Sequence, residues 1–130
     1  MFTAIDHPAI SCEDVRKLAQ WYCQTMDMQI VRDDGKEPPS LLLGWSDDLK
    51  TNSMLELMPI KHPGPSPRDL PRLCPGLRHF AVRVTDFDQA YARVKAAGVE
   101  FLFEPTTAVG GGRVVSFRDP DGNEVQIVQR

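Results

Sequence analysis

Cysteine is scarce in this chain: three residues in 130. Cys12, Cys23 and Cys74 form no C-x-x-C pair, and an odd count argues against a disulfide framework or a structural zinc knuckle. Cys12 and Cys23 fall within apolar patterns, so both are predicted as buried thiols. Cys74 sits between Leu73 and Pro75 in a predicted loop, where neither local sequence nor spacing pairs it with a base. Long apolar runs are missing too, and no stretch can span a bilayer. The N-terminus has no apolar signal core, because Asp6, Glu13, Asp14, Arg16 and Lys17 interrupt it. Basic runs are absent, and a net charge of −3 with interspersed signs gives no nucleic-acid or membrane footprint. These absences predict a cytosolic domain with neither a nucleic-acid nor a membrane partner. The apolar fraction of 42% and charged fraction of 25% are those of a globular protein.

What the chain does contain is a repeat. The segment His7-Pro8-Ala9-Ile10, with Asp14 further on, matches His79-Phe80-Ala81-Val82, with Asp86 at the same offset. Both read His-x-Ala-aliphatic-x-x-x-Asp, and the two histidines are 72 residues apart. An amphipathic helical stretch follows each Asp. In the first copy residues 2–12 read as a strand and Asp14 as a helix N-cap. Val15, Leu18, Ala19, Tyr22 and Met26 then recur at the helical period. Strands are predicted at 28–32, 41–45 and 53–58, with a turn or loop from Asp33 to Pro39. In the second copy a strand at 77–84 precedes the Asp86 cap. Phe87, Ala90, Tyr91, Val94 and Ala97 form the buried helical stripe, and Gly98 suits the position just past the helix. Strands at 99–103, 114–117 and 123–129 complete the order, the last introduced by the turn Asp119-Pro120-Asp121-Gly122. Residues 59–75 hold six of the eleven prolines and read as a semi-rigid linker. The expectation is therefore one domain over 1–130, with modules at 1–58 and 76–130 joined by that linker, and with internal duplication supported by element order.

Strand alternation places His79 with Leu77, Ala81 and Arg83, Glu56 with Met54 and Met58, and Gln126 with Glu124 and Val128. Each sheet then has one apolar face for its helix and one face with isolated polar groups. A carboxylate on such a face needs a partner, and a divalent cation beside imidazoles is a natural one. Glu56 follows His7 by 49 residues, and Gln126 follows His79 by 47, which makes Gln126 the counterpart of Glu56. Glu124, at 45, reads as a solvated edge residue. Arg83 is the best placed of Arg83, Arg113 and Arg118 to meet an anionic group. Gly110-Gly111-Gly112 reads as a flexible hairpin loop, Met54, Met58 and Trp45 as cavity lining or core, and His62 as surface.

The His-x-Ala-Ile opening, Trp21-Tyr22, Met54-Leu55-Glu56-Leu57, Arg78-His79-Phe80-Ala81-Val82, Ala96-Ala97-Gly98-Val99 and Asp119-Pro120-Asp121-Gly122-Asn123 together resemble the vicinal oxygen chelate superfamily. That superfamily includes glyoxalase I, extradiol dioxygenases and bleomycin-binding proteins. The resemblance covers essentially the whole chain. It implies an α+β fold of two βαβββ modules whose mixed sheets curl into a cup. It implies metal ligands at His7, Glu56, His79 and Gln126, with Gln126 standing where the family most often has Glu. It implies a divalent metal ion (Zn, Ni, Mn, Co or Fe) and a homodimer with the site at or near the interface. The implied activity is a glyoxalase-like lyase or isomerase on a small oxygen-bearing substrate. There the metal polarises a carbonyl and Glu56 is the candidate base, since a neutral amide at Gln126 has no useful basicity. A non-catalytic binding protein of the same fold and a ring-cleaving extradiol dioxygenase are the alternatives.

Overall fold

The computed structural model describes all 130 residues and divides them into two compact units, Met1–Pro63 and Gly64–Arg130. In the first unit β1 (Ala9–Cys12) leads into α1 (Val15–Met26), followed by β2 (Gln29–Asp33), β3 (Leu41–Gly44) and β4 (Leu55–Pro59). These strands form one sheet in the order β1-β4-β3-β2. The β1/β4 pair is parallel and the other pairs are antiparallel. In the second unit a short 3-10 helix (Pro67–Asp69) precedes β5 (His79–Arg83) and α2 (Phe87–Ala96). Then come β6 (Thr106–Thr107), β7 (Arg113–Arg118) and β8 (Glu124–Gln129). Their order, β5-β8-β7-β6, repeats the first sheet, with β5/β8 as the parallel pair.

Local chemistry explains why both helices start where they do. The Asp14 carboxylate accepts from the Lys17 amide at 3.0 Å, and the Asp86 carboxylate accepts from the Gln89 amide at 3.0 Å. Each satisfies a first-turn N–H that has no partner within the helix. α1 buries Val15, Leu18, Ala19 and Tyr22 as its periodicity predicts, with Thr25 in addition, while Met26 is only half-buried. This stripe faces a sheet in which Leu41, Leu43, Leu55 and Leu57 are fully buried. Burying each such side chain contributes about 1.5–3 kcal/mol. α2 buries Phe87 and Val94 in a unit whose core holds Val115, Phe117, Val125 and Ile127. Ala97, expected in that stripe, is exposed. Gly98 follows the helix with φ +76°, as a left-handed residue past a helix end requires.

Two expectations are corrected. The strand expected over 2–12 is formed only from Ala9, and residues 1–7 are exposed. The strand expected over 99–103 is reduced to a single bridge, Phe101 to Phe117. Arg118 N donates to Glu100 O and Leu102 N to Ser116 O, but Pro105 has no N–H to continue the ladder. Pairing resumes at the next residue, Thr106, as β6. The triglycine lies in the hairpin that joins β6 to β7, as expected. All three glycines have positive φ, Ala108 N donates to Gly112 O, and Arg130 Nη1 donates to Gly111 O at 2.9 Å.

The turn before β8 is built on one carboxylate. Asp119 is 1% exposed. Its Oδ1 accepts from the amides of Asp121 and Asn123, and its Oδ2 accepts from Asn123 Nδ2. Asp119→Ala leaves those donors without a carboxylate in a buried corner, and the expected loss is about 2–4 kcal/mol of unfolding free energy. Urea denaturation checks this, and a change under about 0.5 kcal/mol, the ordinary surface range, would contradict it.

Candidate functional site

Both modules present a histidine beside a polar residue by the same device. Ala9 on β1 is directly opposite Glu56 on β4, and Ala81 on β5 is directly opposite Gln126 on β8. The register thus makes Gln126 the structural counterpart of Glu56. Each histidine lies two residues before its alanine, on the same strand face. A methyl group opposite Glu56 leaves room for the imidazole to reach across diagonally, which gives the alanine of the His-x-Ala repeat a physical role. In the first unit Glu56 N donates to Pro8 O at 3.0 Å and Met54 N to Asp6 O at 3.4 Å, so backbone pairing extends back to His7.

His7 Nε2 is 3.1 Å from Glu56 Oε2, and His7 Nδ1 is 2.7 Å from Asp6 Oδ2. The hydrogen bond to Asp6 holds the imidazole above its ordinary pKa. Burial opposes this, and the Glu56 and Asp6 charges reinforce it. Both ring nitrogens thus face carboxylate oxygens, Asp6 at Nδ1 and Glu56 at Nε2, so each N–H of the protonated ring has an acceptor.

The second unit is arranged differently. Glu124, expected as a solvated edge residue, is 7% exposed. Arg72 grips it as a fork, with Nη2 at 2.7 Å from Oε1 and Nε at 3.2 Å from Oε2. Its Oε1 also lies 4.0 Å from His79 Nδ1. Burial pushes the Glu124 carboxyl up. The hydrogen bonds from Arg72 and Ser116 and the charges of Arg72 and His79 outweigh this and hold it below its ordinary range. Ser116, fully buried, also accepts from Gln126 Nε2 at 2.9 Å. The Gln126 amide nitrogen is thereby anchored.

The segment around Arg72 is therefore tied into the second unit rather than acting only as a linker. Arg72→Ala removes the partner of a buried carboxylate. With Arg72 itself over a third exposed, water tempers the loss to about 1–3 kcal/mol. Because the folded Glu124 pKa is depressed, the stabilisation is complete above the ordinary carboxylate range and disappears as pH falls through the folded value. Denaturation of parent and variant should differ at pH ~7 and converge toward pH ~2. An equal gap at both would contradict this account.

A divalent ion bound about 2.0–2.2 Å from imidazole nitrogen and carboxylate oxygen separates two neighbouring ligand atoms by about 3.0–3.4 Å, for angles between square and tetrahedral. The His7–Glu56 separation of 3.1 Å fits that spacing. Neither unit gathers three or more His, Cys, Asp or Glu side chains around one point. Each module by itself offers a pair. Of the other candidates, Arg83 shares the exposed face of β5 with His79, Met54 is buried core and Met58 half-buried. Trp45 is exposed and donates through Nε1 to Met26 O, and His62 is exposed. Sequence patterns missed Asp6 and Arg72. The adjacency of Asp6 to His7 could have flagged the first.

A model of the Glyoxalase/Bleomycin resistance protein/Dioxygenase superfamily matches residues 4–127. The lactoylglutathione lyase GLX1 of Arabidopsis thaliana is 29% identical over 128 residues, which are 95% of this chain and 43% of that protein. The chain thus spans less than half the length of that curated relative. The crystal structure of an E144Q mutant of glyoxalase I from Zea mays superposes with a TM-score of 0.74 at 23% identity. It covers 95% of this chain and 44% of that one. A glyoxalase family protein from Enterococcus faecalis superposes with a TM-score of 0.73 at 21% identity, covering 98% of both chains. No helix is long and apolar enough to cross a membrane.

Proposed function

The chain belongs to the glyoxalase/bleomycin resistance protein/dioxygenase superfamily, and from that premise we propose that it is a metal-dependent, glyoxalase-like lyase or isomerase acting on a small oxygen-bearing substrate. The observation that carries the proposal is the His7–Glu56 pair at 3.1 Å, on a strand register that the second module repeats at Ala81 and Gln126. His7, Glu56, His79 and Gln126 hold the ion. A divalent ion (Zn, Ni, Mn, Co or Fe) supplies Lewis acidity toward a substrate oxygen when bound. Glu56 takes the proton from the carbon next to the substrate carbonyl and returns it to the neighbouring position. Asp6 keeps the His7 proton on Nδ1, so that Nε2 remains a ligand atom. Gln126 contributes a neutral oxygen and no base.

A four-donor set requires both pairs, and a homodimer with each chain supplying one pair completes it. β1 and β5 each end their sheet with an unpaired edge, which supports association along those strands. Turnover of lactoylglutathione and related hydroxycarbonyl compounds, measured with chelator and after adding back each metal, tests this proposal. Turnover restored by one metal is expected. Turnover indifferent to chelator would sink it. The second reading, a non-catalytic small-molecule binding protein, is favoured by one observation: Glu124, the acid 4.0 Å from His79, is already taken by Arg72. Ligand binding without turnover under any metal would select it.

A further inference from the structure

A cavity of about 240 Å³ in the second unit is lined by three guanidinium groups, those of Arg72, Arg78 and Arg118, and by one carboxylate, Glu124. Arg72 and Glu124 neutralise each other. The neighbouring Arg68 is paired with Glu100. Two positive charges remain on the cavity wall without a carboxylate. Arg78 donates through Nη1 to the sulfur of Cys74, and its buried Nε has no partner. Arg118 donates through Nη1 to the backbone oxygen of Gly122. Buried polar atoms are nearly always paired, and an exception asks for an explanation. The rest of the wall is apolar except for Asn123, with Leu70, Pro71 and Leu77, and both leucines are otherwise exposed.

We propose that this cavity is a binding site for the carboxylate of a small amphiphilic molecule. Arg78 and Arg118 hold the anionic end, and the Leu70–Leu77 rim covers a short apolar end. Guanidinium groups match a carboxylate's two oxygens in geometry and charge. The cavity is smaller than the roughly 300 Å³ at which pockets for whole drug-sized ligands begin, so it takes one functional group and a short flank. The Arg72–Glu124 fork forms one wall and keeps Glu124 from repelling the anion. The site stands on the second unit alone and requires no metal, so it survives or fails independently of the lyase reading.

The test titrates the full chain, kept in chelator, with sodium benzoate, with benzyl alcohol as its neutral counterpart, and with inorganic phosphate. NMR of the arginine side-chain N–H groups is the readout. Benzoate is expected to shift the Arg78 and Arg118 signals saturably, phosphate to bind more weakly, and benzyl alcohol to leave both signals in place. Arg78→Gln and Arg118→Gln are each expected to weaken benzoate about tenfold or more. Arg113→Gln, which removes a guanidinium paired with Asp88, leaves binding unchanged. Should Arg78→Gln fail to fold, Arg118→Gln on β7 decides the matter. Binding of benzyl alcohol as tight as benzoate, phosphate as tight as benzoate, or unchanged benzoate affinity in a folded Arg118→Gln variant would overturn the proposal.

Discussion

Glu56→Gln is expected to lower turnover by about 10²- to 10⁴-fold, the usual contribution of a positioned general base. The side chain is half-buried on the polar face of β4, while its neighbours Leu55 and Leu57 carry the packing. The variant keeps the shape of the carboxylate and can donate an amide N–H to His7 Nε2, so the thermal midpoint should hardly move. What it loses is the lone pair that takes the proton and the charge that binds a cation. The kinetic loss should therefore come with weaker metal affinity and a folded protein. The reverse change at the counterpart position, Gln126→Glu, has no such simple expectation, because its amide nitrogen is committed to Ser116. Parent-like turnover in Glu56→Gln would remove Glu56 from the chemistry.

The largest stability effect is expected from Gly112→Ala. Gly112 has φ +87°, and a Cβ there would lie 1.9 Å from the backbone oxygen of Gln129. Left-handed backbone costs a non-glycine residue about 1–3 kcal/mol. Here the clash is with β8 backbone, which cannot rotate away as a side chain would. Losses of about 3 kcal/mol or more are expected, enough to disturb β7, β8 and with them Gln126. Gly111→Ala, with positive φ and open space around its Cβ site, should cost only the conformational part. Thermal unfolding of the two variants separates the clash from the strain, and equal losses would contradict this reading of the turn.

How much of this was legible in the sequence follows from how local each signal is. α1 and α2 were readable because capping and apolar periodicity act within a dozen residues. The counterpart relation between Glu56 and Gln126 was readable from spacing, since a repeated sheet order repeats its register. The short ladder at Phe101 was not. The apolar run over 99–103 reads as a strand, and only Pro105, just beyond it, signals the break. The burial of Glu124 was hidden as well. Its partner Arg72 lies 52 residues earlier in sequence, within a proline-rich stretch that reads as a tether. The Arg78–Arg118 cavity was hidden for the same reason. Its walls come from that stretch, from the residues just before β5, from the end of β7 and the start of β8, and from the turn that Asp119 organises, and no local pattern joins them.

The central claim is that the paired His7–Glu56 and His79–Gln126 positions are metal ligands. The most direct measurement is the metal content and affinity of the chain purified without a chelating tag. Stoichiometric binding of one of Ni, Zn, Mn, Co or Fe is predicted, lost in His7→Ala and in His79→Ala and sharply weakened in Glu56→Ala. No bound metal with no thermal shift on adding any of the five, or a Glu56→Ala variant that keeps full affinity, would contradict the account.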